Sequence, residues 1–387
     1  MQRFTRIITL SIIAIIVALL NPAVALAGTG TPFNKIIFFG DSLSDNGNLY
    51  YDDYGYLPKS PPYFQGRFSN GYVWSELVAE RFKQSNNVQS TNYAVGGETA
   101  RLHNPYYGYL PYSLIASVDN YLVHTFYRDR STTLFVILIG ANDYLNGVDN
   151  ADTMTNDVVS SIKYAIETLI YRGGTNFLLI NLPDLSQTPR AKTYGWSEQL
   201  KAVTLAHNLK LANIVDEINN SYKSVNIEMY DANKFFNALF TATADFNKQN
   251  NTHLTNTTSS CWMGGYFLRA NAAIANSNSS NNDTTAIEQK IESQMLMKIK
   301  SPSTTTSMLT LTQPKSIDAK GFAKFAASNP DLRAAFDATE AEESGKKPCA
   351  SPDNYVFWDT IHPTAVIHRV LSEEMIKFIN QNYQVAQ

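Results

Sequence analysis

The chain has 387 residues, 44% of them hydrophobic and 12% aromatic, enough for one large core or two smaller ones. Its formal net charge is −3, so no basic footprint points to a nucleic-acid partner.

Taken in chain order, the first element is a targeting segment. "MQRFTRIITLSIIAIIVALLNPAVALA" carries Arg3 and Arg6, then an apolar stretch from Ile7 to Leu20 that is shorter than a membrane span. Ala25-Leu26-Ala27 supplies small residues for cleavage. The pattern predicts a secretory signal peptide over residues 1–27, with 28–387 exported as one domain, periplasmic or extracellular. An uncleaved N-terminal anchor is the alternative. No later apolar stretch approaches the roughly 20 residues of a spanning helix.

"NKIIFFGDS" then reads as a buried strand running into a loop. "TTLFVILIGAND" and "TNFLLINLPD" are continuous apolar runs of the kind found in parallel strands covered on both faces. "STNYAVGG" and "VNIEMYDA" are shorter candidates. Helical periodicity falls between them, at residues 73–84, 151–172 and 197–223, and again at 364–382. Strand and helix alternate, which predicts an α/β fold with a mostly parallel sheet.

Residues 247–348 break this rhythm. The segment is rich in Asn, Ser and Thr, with low-complexity runs "NSNSSNNDTT" and "SPSTTTS". After Phe267 its only aromatics before Cys349 are Phe322, Phe325 and Phe336. It is expected to bury little surface and to be mobile, apart from short helices near 285–299 and 318–338. The chain's two cysteines, Cys261 and Cys349, bracket nearly all of it. In an oxidising compartment an even pair reads as a disulfide, here tying the base of an insertion.

Chemistry can come from few places. Ser42 follows the first strand in "GDSLSD", but position 44 is Ser, so this is not the G-x-S-x-G elbow. A serine hydroxyl needs a base. Of the six histidines, His362 stands in "YVFWDTIHPTA", three residues after Asp359, a carboxylate able to orient and charge-stabilise an imidazole. A helix start capped by Asp359 or Thr364 is the bland alternative; it accounts for the Asp and the Thr but not for the His. Oxyanion donors are offered by Gly96 and Gly97 in "NYAVGGET" and by Asn142 in "LIGANDY", each with an alternative reading as turn chemistry.

Together the four blocks, in this order, resemble the GDSL family, also called SGNH hydrolases. "GRFSNGYVWSELVAE" and "NLPDLSQTP" are also similar to stretches of family members. The resemblance covers about residues 33–240 and 350–385 and leaves out the insertion. It implies a three-layer α/β/α sandwich with a flavodoxin-like sheet and no metal or other cofactor. It implies Ser42 as nucleophile, His362 as base and Asp359 as its partner. The oxyanion donors would be the Ser42 and Gly97 backbone N–H groups and the Asn142 side chain, with Gly96 as fallback for Gly97.

Export and Tyr-rich segments after the first two blocks make the chain similar to the secreted phospholipase, lysophospholipase and acyltransferase branch. That implies a lipid substrate at a membrane surface, with cholesterol or another sterol as a further acyl acceptor. The tyrosines and phenylalanines there are expected to line an acyl groove or a membrane-facing rim. A carbohydrate or short-chain esterase of the same fold, and an inactive binding protein, are the competing readings. The insertion, joining just upstream of Asp359 and His362, is expected to cover the site until a protease nicks it.

Overall fold

The computed structural model describes residues 30–101, 112–145, 148, 150–262, 285–300, 318–329, 332, 333, 335, 336 and 345–386. The expected signal peptide and both low-complexity runs, apart from Thr285, lie outside the described residues.

Five parallel strands form the central sheet: β1 (Lys35–Gly40), β2 (Gln89–Asn92), β3 (Thr133–Leu138), β4 (Asn176–Ile180) and β5 (Asn226–Tyr230). Their spatial order is β2-β1-β3-β4-β5, the flavodoxin-like order. The apolar runs became β1, β3 and β4, and β3 and β4 are buried at every position. A strand covered on both faces has no polar side to alternate with, which is why these three read as unbroken runs.

The helices of this domain are α1 (Asn48–Asp52), α2 (Trp74–Asn86), α3 (Leu114–His124), α4 (Ala141–Tyr144), α5 (Ala151–Tyr171), α6 (Pro189–Tyr194), α7 (Ser197–Ser221), α8 (Ala232–Thr241) and α9 (Thr243–Asn250). The chain steps one way from β1 to β2 and the other way through β3, β4 and β5. Right-handed crossovers therefore put α2 on one face of the sheet and α3, α5 and α7 on the other. The contacts agree: α5 touches both α3 and α7, while α2 packs against the last helix, Ala365–Asn382. The result is a three-layer sandwich.

A second, two-stranded parallel sheet pairs β6 (Asn256–Ser260) with β7 (Tyr355–Phe357). Between them in sequence lie α10 (Thr285–Lys300) and α11 (Ala319–Ser328), close to the positions expected; the last helix is α12 (Ala365–Asn382). Cys261 and Cys349 form the anticipated disulfide, with a sequence separation of 88. Closing a loop of that length stabilises by about 4 to 5 kcal/mol in the chain-entropy model. The bridge is built into the small sheet: the Cys261 N–H donates to the Phe357 carbonyl at 2.9 Å and the Cys349 N–H to the Cys261 carbonyl at 2.9 Å.

The stretches near 285–299 and 318–338, excepted from the expectation of little burial, do bury apolar side chains. Ile291, Met295, Phe322 and Phe336 are all buried, in one cluster with Leu57, Tyr63, Phe68 and Trp358. Helical spacing gave α10 and α11 one apolar side each, and the loop after Ser42 supplies the surface they cover. Among the described residues no helix is long and apolar enough to cross a membrane.

Candidate active site

The site lies where the sheet reverses direction. β1 and β3 are neighbours that end side by side, Gly40 opposite Leu138, and their outgoing connections diverge to opposite faces. A crevice outside the carboxyl ends of the strands is expected at that point. Ser42 stands two residues past Gly40, in a turn closed by the Ser44 N–H on the Asp41 carbonyl at 2.9 Å. The strand end must be glycine: a Cβ on Gly40 would meet the Leu138 carbonyl oxygen at 2.4 Å.

The pairing of β2 with β1 continues past the strand end, with the Val95 N–H on the Gly40 carbonyl at 3.0 Å, and brings the glycine block beside the serine loop. Asp45 locks the two together. Its carboxylate accepts the N–H groups of Gly47 at 2.7 Å, Asn48 at 2.6 Å, Leu49 at 3.2 Å and Gly96 at 2.7 Å. Complete burial pushes this carboxyl up to about 6, against the pull of those four N–H groups. The Gly96 N–H is thereby engaged, and Gly97 follows it with a φ of 81°, backbone that glycine adopts without strain. On the other flank Asn142, in α4, donates from Nδ2 to the Glu98 carbonyl at 3.0 Å. The neighbouring Asp143 holds the same loop through the Ala100 N–H at 2.8 Å and Arg101 Nε at 3.0 Å. Serine, glycine and asparagine blocks are therefore one hydrogen-bonded unit at the ends of β2, β1 and β3.

The histidine comes from the small sheet. After β7 the chain makes a tight loop, closed by the Trp358 N–H on the His362 carbonyl at 2.7 Å. Asp359 shapes it from within, its Oδ1 accepting the Ile361 and His362 N–H groups, both at 2.8 Å. Its Oδ2 lies 2.7 Å from His362 Nδ1, and His362 Nε2 lies 2.9 Å from Ser42 Oγ. All three residues are buried, His362 completely. Burial alone would raise the Asp359 carboxyl. The adjacent His362, with its hydrogen bonds, and the Tyr63 hydroxyl outweigh that and hold it below the usual carboxylate range. Tyr63 donates to Oδ2 at 2.6 Å. Thr364 occupies the cap position of α12 but makes no side-chain cap; its hydroxyl donates to the Tyr355 carbonyl at 2.7 Å. The helix-start alternative thus fails for Thr364, and the Asp359 carboxylate serves the imidazole. Of the other histidines, His207 and His368 are buried and pushed down to about 3 by desolvation, so each sits neutral in the core.

An apolar cleft of about 530 Å³, open solvent included, borders Ser42. Phe236 and Phe240 from α8, Phe357 from β7, and Leu145 and Leu185 from loops after β3 and β4 form much of its wall. For three residues of the Tyr-rich segments, Tyr56, Tyr63 and Tyr112, this corrects the expectation of a groove lining. Tyr56 and Tyr63 are buried under the insertion helices and Tyr112 against Phe325, while all of "NPYYGYL" lies outside the described residues. A serine polarised by a buried His–Asp pair, beside backbone and amide donors and an apolar cleft, is equipped for acyl transfer from an ester.

The family model for GDSL-like lipase/acylhydrolase matches residues 36–375. The chain belongs to this family. Ser42, Gly97, Asn142, Asp359 and His362 all lie within the GDSL match. Phosphatidylcholine-sterol acyltransferase of Aeromonas hydrophila is 29% identical over 363 residues, covering 93% of this chain and 94% of that protein. The secreted effector protein SseJ of Salmonella typhimurium is 30% identical over 218 residues, 54% of this chain and 50% of its own length. Among solved structures, an acetylxylan esterase from Geobacillus stearothermophilus overlaps 55% of this chain at 12% identity, with a TM-score of 0.33.

Two parts of this GDSL site are not legible in the sequence. Tyr63 reads there as one more groove-lining tyrosine, and its contact lies 296 positions away in the chain. Phe236 and Phe240 belong to α8, a helix outside the periodic stretches expected from the sequence. Asp45, in the "GDSLSD" block, reads as polar support for the loop behind Ser42, and four N–H groups converge on it.

Proposed function

We propose that this protein is an exported lipid acylhydrolase that removes fatty acid from phospholipids or lysophospholipids and passes it to water or to a sterol hydroxyl. The observation that carries the reading is the unbroken Ser42–His362–Asp359 hydrogen-bonded chain opening on an apolar cleft. An acyl chain is what such a cleft shelters; an acetyl sugar has no use for walls of phenylalanine and leucine. The likeness to a phosphatidylcholine-sterol acyltransferase over nearly the whole chain supports the same substrate class, and likeness to a secreted effector supports export.

In this reading Ser42 Oγ bonds to the ester carbonyl carbon as its proton passes to His362 Nε2. The negative oxygen of the tetrahedral intermediate rests on the N–H groups of Ser42 and Gly97 and on the Asn142 amide. Collapse breaks the bond to the leaving alcohol, which takes the proton from His362 and departs as the deacylated lipid. Water, or a sterol hydroxyl, then gives its proton to His362 and attacks the acyl-serine. A second collapse returns the proton to Ser42 and releases fatty acid or sterol ester. Asp359, ionised throughout, keeps Nδ1 facing it and stabilises the imidazolium.

The test is release of free fatty acid from lysophosphatidylcholine, and of sterol ester from phosphatidylcholine vesicles with and without cholesterol, by wild type and Ser42→Ala. Equal activity of the two proteins would sink the catalytic reading. Preference for acetylated sugars over long-chain lipids would move the substrate class.

A further inference from the structure

The insertion touches the glycine block itself. Asn329, buried at the end of α11, donates from Nδ2 to the Gly97 carbonyl at 2.7 Å. The other end of the same side chain is held as well, with Oδ1 accepting the Leu332 N–H at 3.2 Å. Its backbone N–H is bonded to the Phe325 carbonyl at 2.8 Å and its carbonyl to the Arg333 N–H at 2.9 Å. The amide therefore has one orientation, fixed by the fold of the insertion.

Consider the three peptide groups around Gly96 and Gly97. The one before Gly96 is held through its N–H by Asp45 at 2.7 Å. The one after Gly97 is held through its carbonyl by Asn329. The peptide between them carries the Gly97 N–H. Two consecutive glycines make a soft backbone, and a Cβ on Gly97 would meet the Asn329 side chain at 3.0 Å, so stiffness cannot come from a larger residue there. It comes from buried side chains clamping the planes on either side.

We infer that Asn329 is a positioning residue of the oxyanion hole, supplied by the insertion and acting through Gly97. The inference rests on the proposed reading that the Gly97 N–H is an oxyanion donor. Asn329 does not touch the ester. It sets the direction of a donor whose value depends on aim, because preorganised N–H groups act only when they point at the forming negative charge. Loss of the α11 contact with the glycine block would then lower kcat.

The experiment uses the full-length protein with Asn329→Ala, Asn329→Asp, Asn142→Ala and Gln294→Ala. Asn329→Asp keeps the shape and the acceptor for Leu332 while removing the donor to Gly97. Gln294→Ala removes a different insertion contact, to the Tyr56 hydroxyl at 2.7 Å. The readouts are kcat and KM on lysophosphatidylcholine, thermal midpoint, and affinity for an alkyl boronic acid, which bonds to serine Oγ as a tetrahedral mimic. Both Asn329 variants are expected to lose about tenfold to a hundredfold in kcat and a similar factor in boronic acid affinity. KM stays within about twofold, and Gln294→Ala leaves kcat unchanged. If the Asn329 variants lose thermal stability yet keep kcat and boronic acid affinity, the residue is only structural and the inference is wrong. If Asn142→Ala weakens the boronic acid and the Asn329 variants do not, the oxyanion reading stands and the inference alone fails. If neither residue affects it, the hole has been misassigned and the inference falls with it.

Discussion

The sheet core and the insertion reach the same site with different side chains. In the core, large aromatics stack across neighbouring strands: Phe39 on Phe135 at 6.5 Å and Phe135 on Phe177 at 5.4 Å between ring centroids. In the insertion, α11 buries Ala319, Ala323, Ala326 and Ala327 around a single large residue, Phe322. An alanine contributes little area to burial, so such a unit holds together by close helix contact, by borrowed surface from the loop after Ser42, and by the disulfide at its base. The core supplies the nucleophile and two flanking blocks on rigid strand ends. The small sheet supplies the base, and the insertion contacts the backbone between them. The comparison separates what makes the chemistry from what holds it in aim.

The largest effect should fall on the chemistry and spare both regions. Ser42→Ala and His362→Gln are expected to cut lipid hydrolysis by about 10³-fold or more. The thermal midpoint of Ser42→Ala should hardly move, since that change removes one hydroxyl at the cleft rather than a core side chain. Loss of activity accompanied by loss of fold would mean the triad is part of the scaffold.

Core truncation should then tell the two regions apart. Phe135 and Phe322 are both fully buried, and either Phe→Ala change should cost about 3 to 5 kcal/mol. Phe135→Ala should lower the global urea midpoint. Phe322→Ala should leave that transition nearly in place and raise protease sensitivity within the insertion, because its cluster can open locally. A common drop in one cooperative transition would show that insertion and sheet fold as a unit.

The difference between regions also explains what the sequence could reveal. β1, β3 and β4 were legible because burial on both faces forces continuous apolar runs. The triad was legible because each member sits in a short stretch with a fixed spacing, strand-Gly-Asp-Ser or Asp-x-x-His. The disulfide followed from two cysteines in a chain read as carrying an export signal. Asn329 gave no signal: asparagine after a helix is ordinary turn chemistry, and its partner Gly97 lies 232 positions earlier. The surface that the insertion helices cover was hidden for a related reason. Alanine-rich helices with few aromatics look unable to form a core when judged alone, and the surface they cover comes from Leu49 to Phe68.

Acid should strike the core before the insertion. His207, whose Nδ1 lies 2.9 Å from the Tyr144 hydroxyl, is held neutral by burial, its pKa pushed down to about 3 from 6.5. The unfolded chain takes up that proton near pH 6.5 and the folded chain does not, so the stabilisation is present above that pH and is lost as pH falls toward 3. His207→Gln should flatten the fall in stability across this window by an amount on the order of a few kcal/mol. Among the described residues of α10 and α11 no buried titratable group exists to do the same. Equal slopes in wild type and variant would remove His207 as the source.

The smallest effect tests the seam between the two regions. Tyr63 packs in the insertion's apolar cluster, against Trp358 and Phe68, while its hydroxyl donates to Asp359. Tyr63→Phe keeps the ring, so α10 and α11 should stay seated and the protease pattern unchanged. What it removes is one of the hydrogen bonds that favour the ionised form of Asp359. The carboxyl should then protonate at a higher pH, so activity on acidification should fail earlier than in wild type. At neutral pH kcat should drop only a few-fold to about tenfold, because the two backbone N–H groups on Oδ1 still hold the carboxylate. KM should hold, since Tyr63 does not line the cleft. A change in protease sensitivity with an unaltered pH profile would place Tyr63 with the insertion alone. A shifted profile with an intact insertion would make it the point where the packing of one region sets the charge of the other.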